Sequence, residues 1–150
     1  MRASTASPAP WYGALIGTYL SGVAGAAALA RRRGVVRPLG AGDIALLATG
    51  TNKLARLATQ EKVTAPIRSP FTDVVEEPDG TIVERPGADG MRRAVGELVT
   101  CPFCLSVWIA TGLTAALVLA PRPTRLALGA LSAMTGSDFL QRAWARLDTH

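Results

Sequence analysis

The chain's only two cysteines form the run Cys101-Pro102-Phe103-Cys104. Thr100 or Cys101 can cap a helix starting there, and Pro102 suits its first turn, where a missing N–H costs nothing. Both sulfurs then lie near a helix N-terminus, whose partial positive charge favours the thiolate. Three roles compete for the pair. A dithiol redox role is one, although soluble oxidoreductases with this spacing carry it in a strand–helix–strand context that does not precede it here. Zinc is the second, but a tetrahedral site wants four ligands and the chain adds one distant histidine, His150. Completing that shell takes a second copy of the chain or carboxylates. The third role is structural: two small, soft side chains packing the helix start against residues 66–71, with cytoplasmic reduction keeping the thiols free.

Other chemistry is sparse. No Gly-x-x-x-x-Gly-Lys loop and no Gly-x-Gly-x-x-Gly after a strand is present. With its single histidine at position 150, the chain lacks the base for a serine or cysteine triad. Asp43 and Asp138 are the acids placed at apolar segments. An intramembrane carboxylate points to ion or proton handling, whereas a position near a segment end lets it reach headgroup water. Glu76, Glu77, Asp79, Glu84 and Asp89 read as a solvated loop face, because hairpin spacing scatters them. No cofactor and no catalytic activity are expected, the thiol pair being the main exception.

The elements that must position these residues follow from composition and periodicity. At 150 residues the chain makes one domain or one small membrane bundle. It is 49% hydrophobic and 18% charged, where soluble domains carry about a quarter charged residues. That shortfall indicates a membrane protein. Arginine outnumbers lysine 14 to 2, as in proteins from GC-rich bacterial genomes. The net charge of +5 invites a nucleic-acid reading. Yet Arg31-Arg32-Arg33 with Arg37, and Arg92-Arg93, flank apolar stretches and contain no aromatics to stack on bases. Arginines so placed anchor helices at a bilayer surface. The expected partners are therefore lipid and another membrane protein or a second copy, with no nucleic acid.

Trp11 to Ala30 is uncharged and long enough for the ~30 Å hydrocarbon core. Aromatics stand at its start and three arginines at its end. Gly13, Gly17, Ser21 and Gly25 recur every four residues, a stripe that lets another helix approach, or simply the product of alanine- and glycine-rich coding. Cleavage after Ala28-Leu29-Ala30 as a signal peptide is the disfavoured alternative, since the arginines follow the cut. Over 39–60, Ile44, Leu46, Leu47, Leu54, Leu57 and Ala58 share one helical face opposite Asn52, Lys53, Arg56 and Gln60. This is an interfacial helix or a short span with Lys53 and Arg56 reaching the cytoplasmic surface. Pro66 and Pro70 predict extended backbone over 64–71. Val74–Glu77 and Thr81–Glu84 around Pro78-Asp79-Gly80 predict a hairpin. Met91 to Val99 predicts a short helix with Met91, Val95 and Leu98 inward. Cys104 to Ala120 should span. Residues 121–125 should form the connection to a marginal segment from Leu126 to about Ser137, with an amphipathic tail to Leu147. No internal repeat is present.

Arginine and lysine placement ranks the topologies. With 39–60 in the membrane plane and the N-terminus outside, the cytoplasmic to external split is 13 to 3. With 39–53 spanning and both termini inside, it is 10 to 6; reversing that arrangement gives 6 to 10. Both acceptable arrangements put residues 53–104 in the cytoplasm.

Three blocks in order carry a family resemblance. They are Lys53-Leu54-Ala55-Arg56-Leu57, then Lys62 through Phe71, then Gly96 through Cys104 followed by Trp108. Over about residues 41–145 the chain resembles the bacterial domain-of-unknown-function (DUF) 1360 family of small multi-pass membrane proteins. The matched positions are Arg56, Lys62, Thr64, Pro66, Arg68, Pro70, Phe71, Glu97, Cys101, Cys104 and Trp108. Lys53 stands where an arginine is common, and the segment before residue 39 does not align with the family core. The resemblance implies no biochemical activity. A sporulation label on some Bacillus members implies a link to sporulation or differentiation.

The expected architecture is an all-α integral membrane protein of the bacterial plasma membrane with three or four embedded helices. Residues 1–38 form an N-terminal transmembrane segment and basic loop, and 39–150 the family-like core. That core comprises the helix 39–60, a cytoplasmic loop 61–100 carrying a small β-hairpin, and a transmembrane hairpin 101–147. The expected role is a non-enzymatic structural or interaction component of the envelope. A membrane-bound thiol-redox or metal protein using Cys101 and Cys104 is the alternative. Arg56, Lys62, Arg68, Phe71, Glu97 and Trp108 are the candidate contacts to the membrane surface or a partner, with Arg56 and Arg68 meeting lipid phosphates or Glu97.

Overall fold

A computed structural model describes residues 9–36 and 38–148; Arg2, Arg37 and His150 lie outside the described residues. The chain is mostly helical: α1 (Ala9–Arg32), α2 (Ala41–Gln60), a 3-10 turn (Lys62–Thr64), α3 (Ala65–Arg68), β1 (Thr72–Glu76), β2 (Ile82–Pro86), α4 (Gly90–Thr100), α5 (Pro102–Leu119) and α6 (Pro121–Leu147). Two of these, α1 and α5, are long and apolar enough to cross a membrane, with 6% of the apolar stretch buried in each.

The described residues divide into two compact units. One comprises 9–24 and 56–105, the other 25–36, 38–55 and 106–148. In the first, β1 and β2 pair antiparallel from Thr72 opposite Pro86 to Glu76 opposite Ile82. The hairpin closes as the sequence indicates. The Gly80 N–H donates to the Glu77 carbonyl at 2.9 Å and the Glu77 N–H to Thr81 at 2.8 Å, with Gly80 at φ +82°. That is a three-residue loop whose last position needs a left-handed backbone.

α4 crosses the base of the hairpin, and Gly96 lets it do so. A Cβ there would stand 2.5 Å from the Phe71 carbonyl oxygen and 3.0 Å from the Pro86 Cα. Of the expected inward face of α4, Val95 and Leu98 are half-buried, and only Met91 is corrected. Met91 is half exposed, while Ala94 and Gly96 are buried. Large side chains on that face would hold the helix off the strand backbone, so the smallest residues take the contact.

Two proline readings are also corrected. Residues 64–71 are not extended, because the 3-10 turn runs into α3 with Pro66 in its first turn, where no N–H is needed. Pro70 falls after the helix ends. Residues 121–125 likewise form the start of α6, with proline in the first turn, and only Ala120 separates α5 from α6.

In the second unit, α2 and α6 lie side by side and run in the same direction. Asp43 meets Arg125 (Nε–Oδ1 2.8 Å), Thr49 meets Ser132 (2.6 Å) and Lys53 meets Asp138 (2.6 Å), ascending both helices together. Gly50 permits this approach: a Cβ there would stand 2.6 Å from the Leu128 Cδ2, and Leu128 is fully buried. Ile44, expected on the apolar face of α2, is 57% exposed. The other expected residues, Leu46, Leu47, Leu54, Leu57 and Ala58, are half-buried, and Gly50 and Ala55 are buried.

Candidate functional site

The polar unit is organised by Arg68, the last residue of α3 and 5% exposed. A buried guanidinium must satisfy five N–H donors in a fixed plane. Here Nε donates to Glu84 Oε2 at 2.8 Å and one terminal nitrogen to Glu84 Oε1 at 3.0 Å, a bidentate pair. The other terminal nitrogen donates to the Ala58 carbonyl at 2.8 Å, Thr64 Oγ1 at 2.6 Å and the Glu61 carbonyl at 3.2 Å. The Ala58 and Glu61 carbonyls belong to the last turn of α2 and the residue after it, whose acceptors have no partner within the helix. Thr64 in turn donates to the Leu57 carbonyl at 2.7 Å. One side chain thus joins the end of α2, the 3-10 turn and β2. The Arg68 guanidinium holds the Glu84 carboxyl below its ordinary range.

Arg68 is thus buried and paired with Glu84 rather than with Glu97. The pairing also moves Glu84 from a solvated face to an internal counter-ion. Nothing local in the sequence marks that pairing, since strand and helix come together only through the hairpin.

Glu97 on α4 has different partners. The Tyr12 hydroxyl donates to Oε2, and Arg93 donates to Oε1 at 3.0 Å one turn away. The Tyr12 hydrogen bond, then the Arg93 bond, lower the Glu97 pKa. The indole nitrogen of Trp11 lies against Gly90, 3.4 Å from where a Cβ would stand. So the start of α1 docks on α4 through two aromatics that the sequence marks only as interfacial residues.

The remaining candidate contacts are distributed differently. Arg56 and Lys62 are exposed, beside Val63 (88% exposed) and Ile67 (73%) on the turn that follows α2. Phe71 is half-buried and its carbonyl accepts the Gly87 N–H at 2.9 Å. Trp108 belongs to the other unit. An open groove of about 670 Å³ runs between Thr59, Lys62 and Arg68 on one side and Val74, Ile82 and Glu84 on the other. With Arg68 and Glu84 satisfying each other, Lys62 and the aliphatic wall are what it offers a ligand.

At the cysteine pair, the Cys104 N–H donates to Cys101 Sγ at 3.3 Å. Of the two residues that could cap α5, Thr100 and Cys101, it is Cys101 that does so. Both thiols are free; Cys101 is half-buried and Cys104 exposed. The reading in which both pack inward is corrected for Cys104. Among the described residues, no group of three or more histidine, cysteine or acidic side chains is placed to hold a metal ion. Asp43 and Asp138 are both in ion pairs, with Arg125 and Lys53.

Comparison with known proteins bears on the same region. No solved structure matches the chain. The sporulation protein YjcA of Bacillus subtilis (strain 168) is 38% identical over 72 residues, which cover 45% of this chain and 60% of that protein. The match thus spans less than two thirds of that relative's length. A family model described as a protein of unknown function (DUF1360) matches residues 46–144, which include Arg56, Arg68, Glu97, both cysteines and the α2–α6 pairs from Thr49 onward. The chain belongs to the DUF1360 family.

Proposed function

We propose that this is a non-enzymatic, multi-pass component of a bacterial cell envelope, with four embedded helices, both termini inside and the polar unit facing the cytoplasm. The observation that carries the reading is the parallel α2–α6 ladder. An α2 lying in the membrane plane is incompatible with pairing rung by rung to a spanning α6. Twenty residues of α2 make about 30 Å of helix, the thickness of the hydrocarbon core. Its charges are too costly for a lone span, but Asp43 and Lys53 each bring a counter-ion on α6, as membrane-embedded charges do.

The Tyr12–Glu97 contact supports the same path. It ties the start of α1 to α4, the helix that leads directly into α5. Among the two directions for this path, ten basic residues inside and six outside obeys the charge rule. On this reading Arg68 holds the cytoplasmic unit together. Arg56 and Lys62, with Val63 and Ile67, face anionic headgroups or a partner membrane protein. The name of the Bacillus relative supports a place in sporulation or a comparable differentiation.

The test is cysteine labelling with a membrane-impermeant maleimide. Val36→Cys, in a chain with both native cysteines replaced by serine, should label in intact cells. Native Cys104 should label only after permeabilisation. Val36→Cys labelling only after permeabilisation would restore the three-span arrangement and overturn this one.

A further inference from the structure

Capping of α5 accounts for an acceptor at Cys101, but neither the fold nor the topology above accounts for a pair of thiols at 101 and 104. They stand three residues apart around a helix start, so their side chains share one face. The Cys101 sulfur is already engaged with position 104: its Sγ accepts the Cys104 amide at 3.3 Å. Pro102 between them brings no competing N–H. Cys104 is open to solvent and Cys101 partly so, unlike the buried cysteines that serve only as packing. Capping alone asks for an acceptor at position 101, which serine supplies; it does not ask for a second thiol at 104.

We propose that Cys101 and Cys104 form a reversible intramolecular disulfide that exchanges two electrons with an accessible disulfide at the membrane surface. Cys101 attacks as the thiolate. Its sulfur forms a bond to one sulfur of the incoming disulfide, whose S–S bond breaks, and the departing thiolate takes up a proton. Cys104 then gives its proton to water and attacks Cys101 Sγ in the mixed disulfide, expelling the second thiolate, which is protonated in turn. The pair loses two electrons and two protons, and the incoming disulfide becomes two thiols. Reversal reduces the pair at the expense of two thiols. The hydrogen bonds from the Cys104 thiol and amide also lower the Cys101 thiol pKa, which raises the thiolate fraction available for attack.

The experiment equilibrates the full chain, purified in detergent, with glutathione and glutathione disulfide at varied ratio. Free thiols are then counted by the gel shift of a polymer-tagged maleimide. The expected result is simultaneous loss of both labels across one transition, with no singly labelled species accumulating. Cys104→Ser should trap a glutathione adduct on Cys101 several-fold faster than Cys101→Ser traps one on Cys104. The serine that replaces Cys101 keeps the cap, so both variants should retain the helix content of the parent. Persistence of both labels in excess glutathione disulfide would overturn the proposal. So would a singly modified protein at equilibrium, or oxidation that begins only after a chelator is added, which would assign the pair to a metal.

Discussion

The polar unit and the α2–α6 pair hold themselves together by opposite means. In the polar unit, one buried arginine satisfies backbone carbonyls and a carboxylate from three elements, and a glycine brings α4 onto strand backbone. Helix α3 is four residues long and the hairpin has two strands, so neither is stable alone. Removing the central side chain therefore strands several partners at once. In the α2–α6 pair, both helices are long and satisfy their own backbones. One ion pair sits near the start of both helices and Lys53–Asp138 lies further along them, with a Thr–Ser hydrogen bond between, and the close approach at Gly50 is to the tip of a leucine. The first arrangement is brittle; the second has room to adjust.

The largest test of that difference is Arg68→Ala. It takes the guanidinium away from Glu84 and from the Ala58 carbonyl, while the Glu61 carbonyl keeps its bonds from Thr64, and breaking a buried ion pair costs about 3–5 kcal/mol. Hydrogen exchange in micelles should show β1, β2 and α4 losing protection while α5 and α6 keep theirs. Equal loss in both regions would mean that the two are not separately stabilised. Arg68→Lys should rescue only part, because a point charge cannot make the bidentate contact.

The next test compares two glycines. Gly96→Ala places a methyl 2.5 Å from a carbonyl oxygen that is itself bonded to Gly87. The backbone must shift, at a cost of about 1–3 kcal/mol. Gly50→Ala meets a leucine Cδ at a similar 2.6 Å, and a rotamer change relieves it. It should cost less than Gly96→Ala in thermal unfolding. A reversed order would show that the leucine is as rigid as the strand.

The smallest effect is with pH. Glu84 has a lowered pKa in the folded chain, so its stabilisation is full above the unfolded value of about 4.3. It is lost as pH falls through the folded pKa. Exchange of the β2 amides should therefore rise below about pH 4, and Arg68→Ala should abolish that dependence. An unchanged acid response in the variant would place its origin in another carboxylate.

Local pattern was enough to locate the apolar helices and the hairpin with its glycine-terminated turn, and to narrow the α5 cap to Thr100 or Cys101. These depend on neighbours within a few residues. Prolines misled twice, over 64–71 and 121–125, because their cost depends on helix position: Pro66, Pro121 and Pro123 fall in opening turns where the missing N–H is free. On α4, Val95 and Leu98 are covered, but the exposure of Met91 and the burial of Ala94 and Gly96 were missed. Apolar periodicity ranks large side chains inward, whereas contact with strand backbone requires small ones.

By itself the sequence determined which stretches are long and apolar enough to cross a membrane, where the hairpin turns, and which residues carry chemistry. Those are properties of side chains and their immediate neighbours. Tertiary structure alone decided what the charges do. Arg68 pairs with Glu84, Tyr12 with Glu97, Asp43 with Arg125 and Lys53 with Asp138, across separations of 16 to 85 residues. Every charge in those pairs has other opposite charges to choose from along the chain. The choice is made only when packing removes water and leaves one counter-ion within reach.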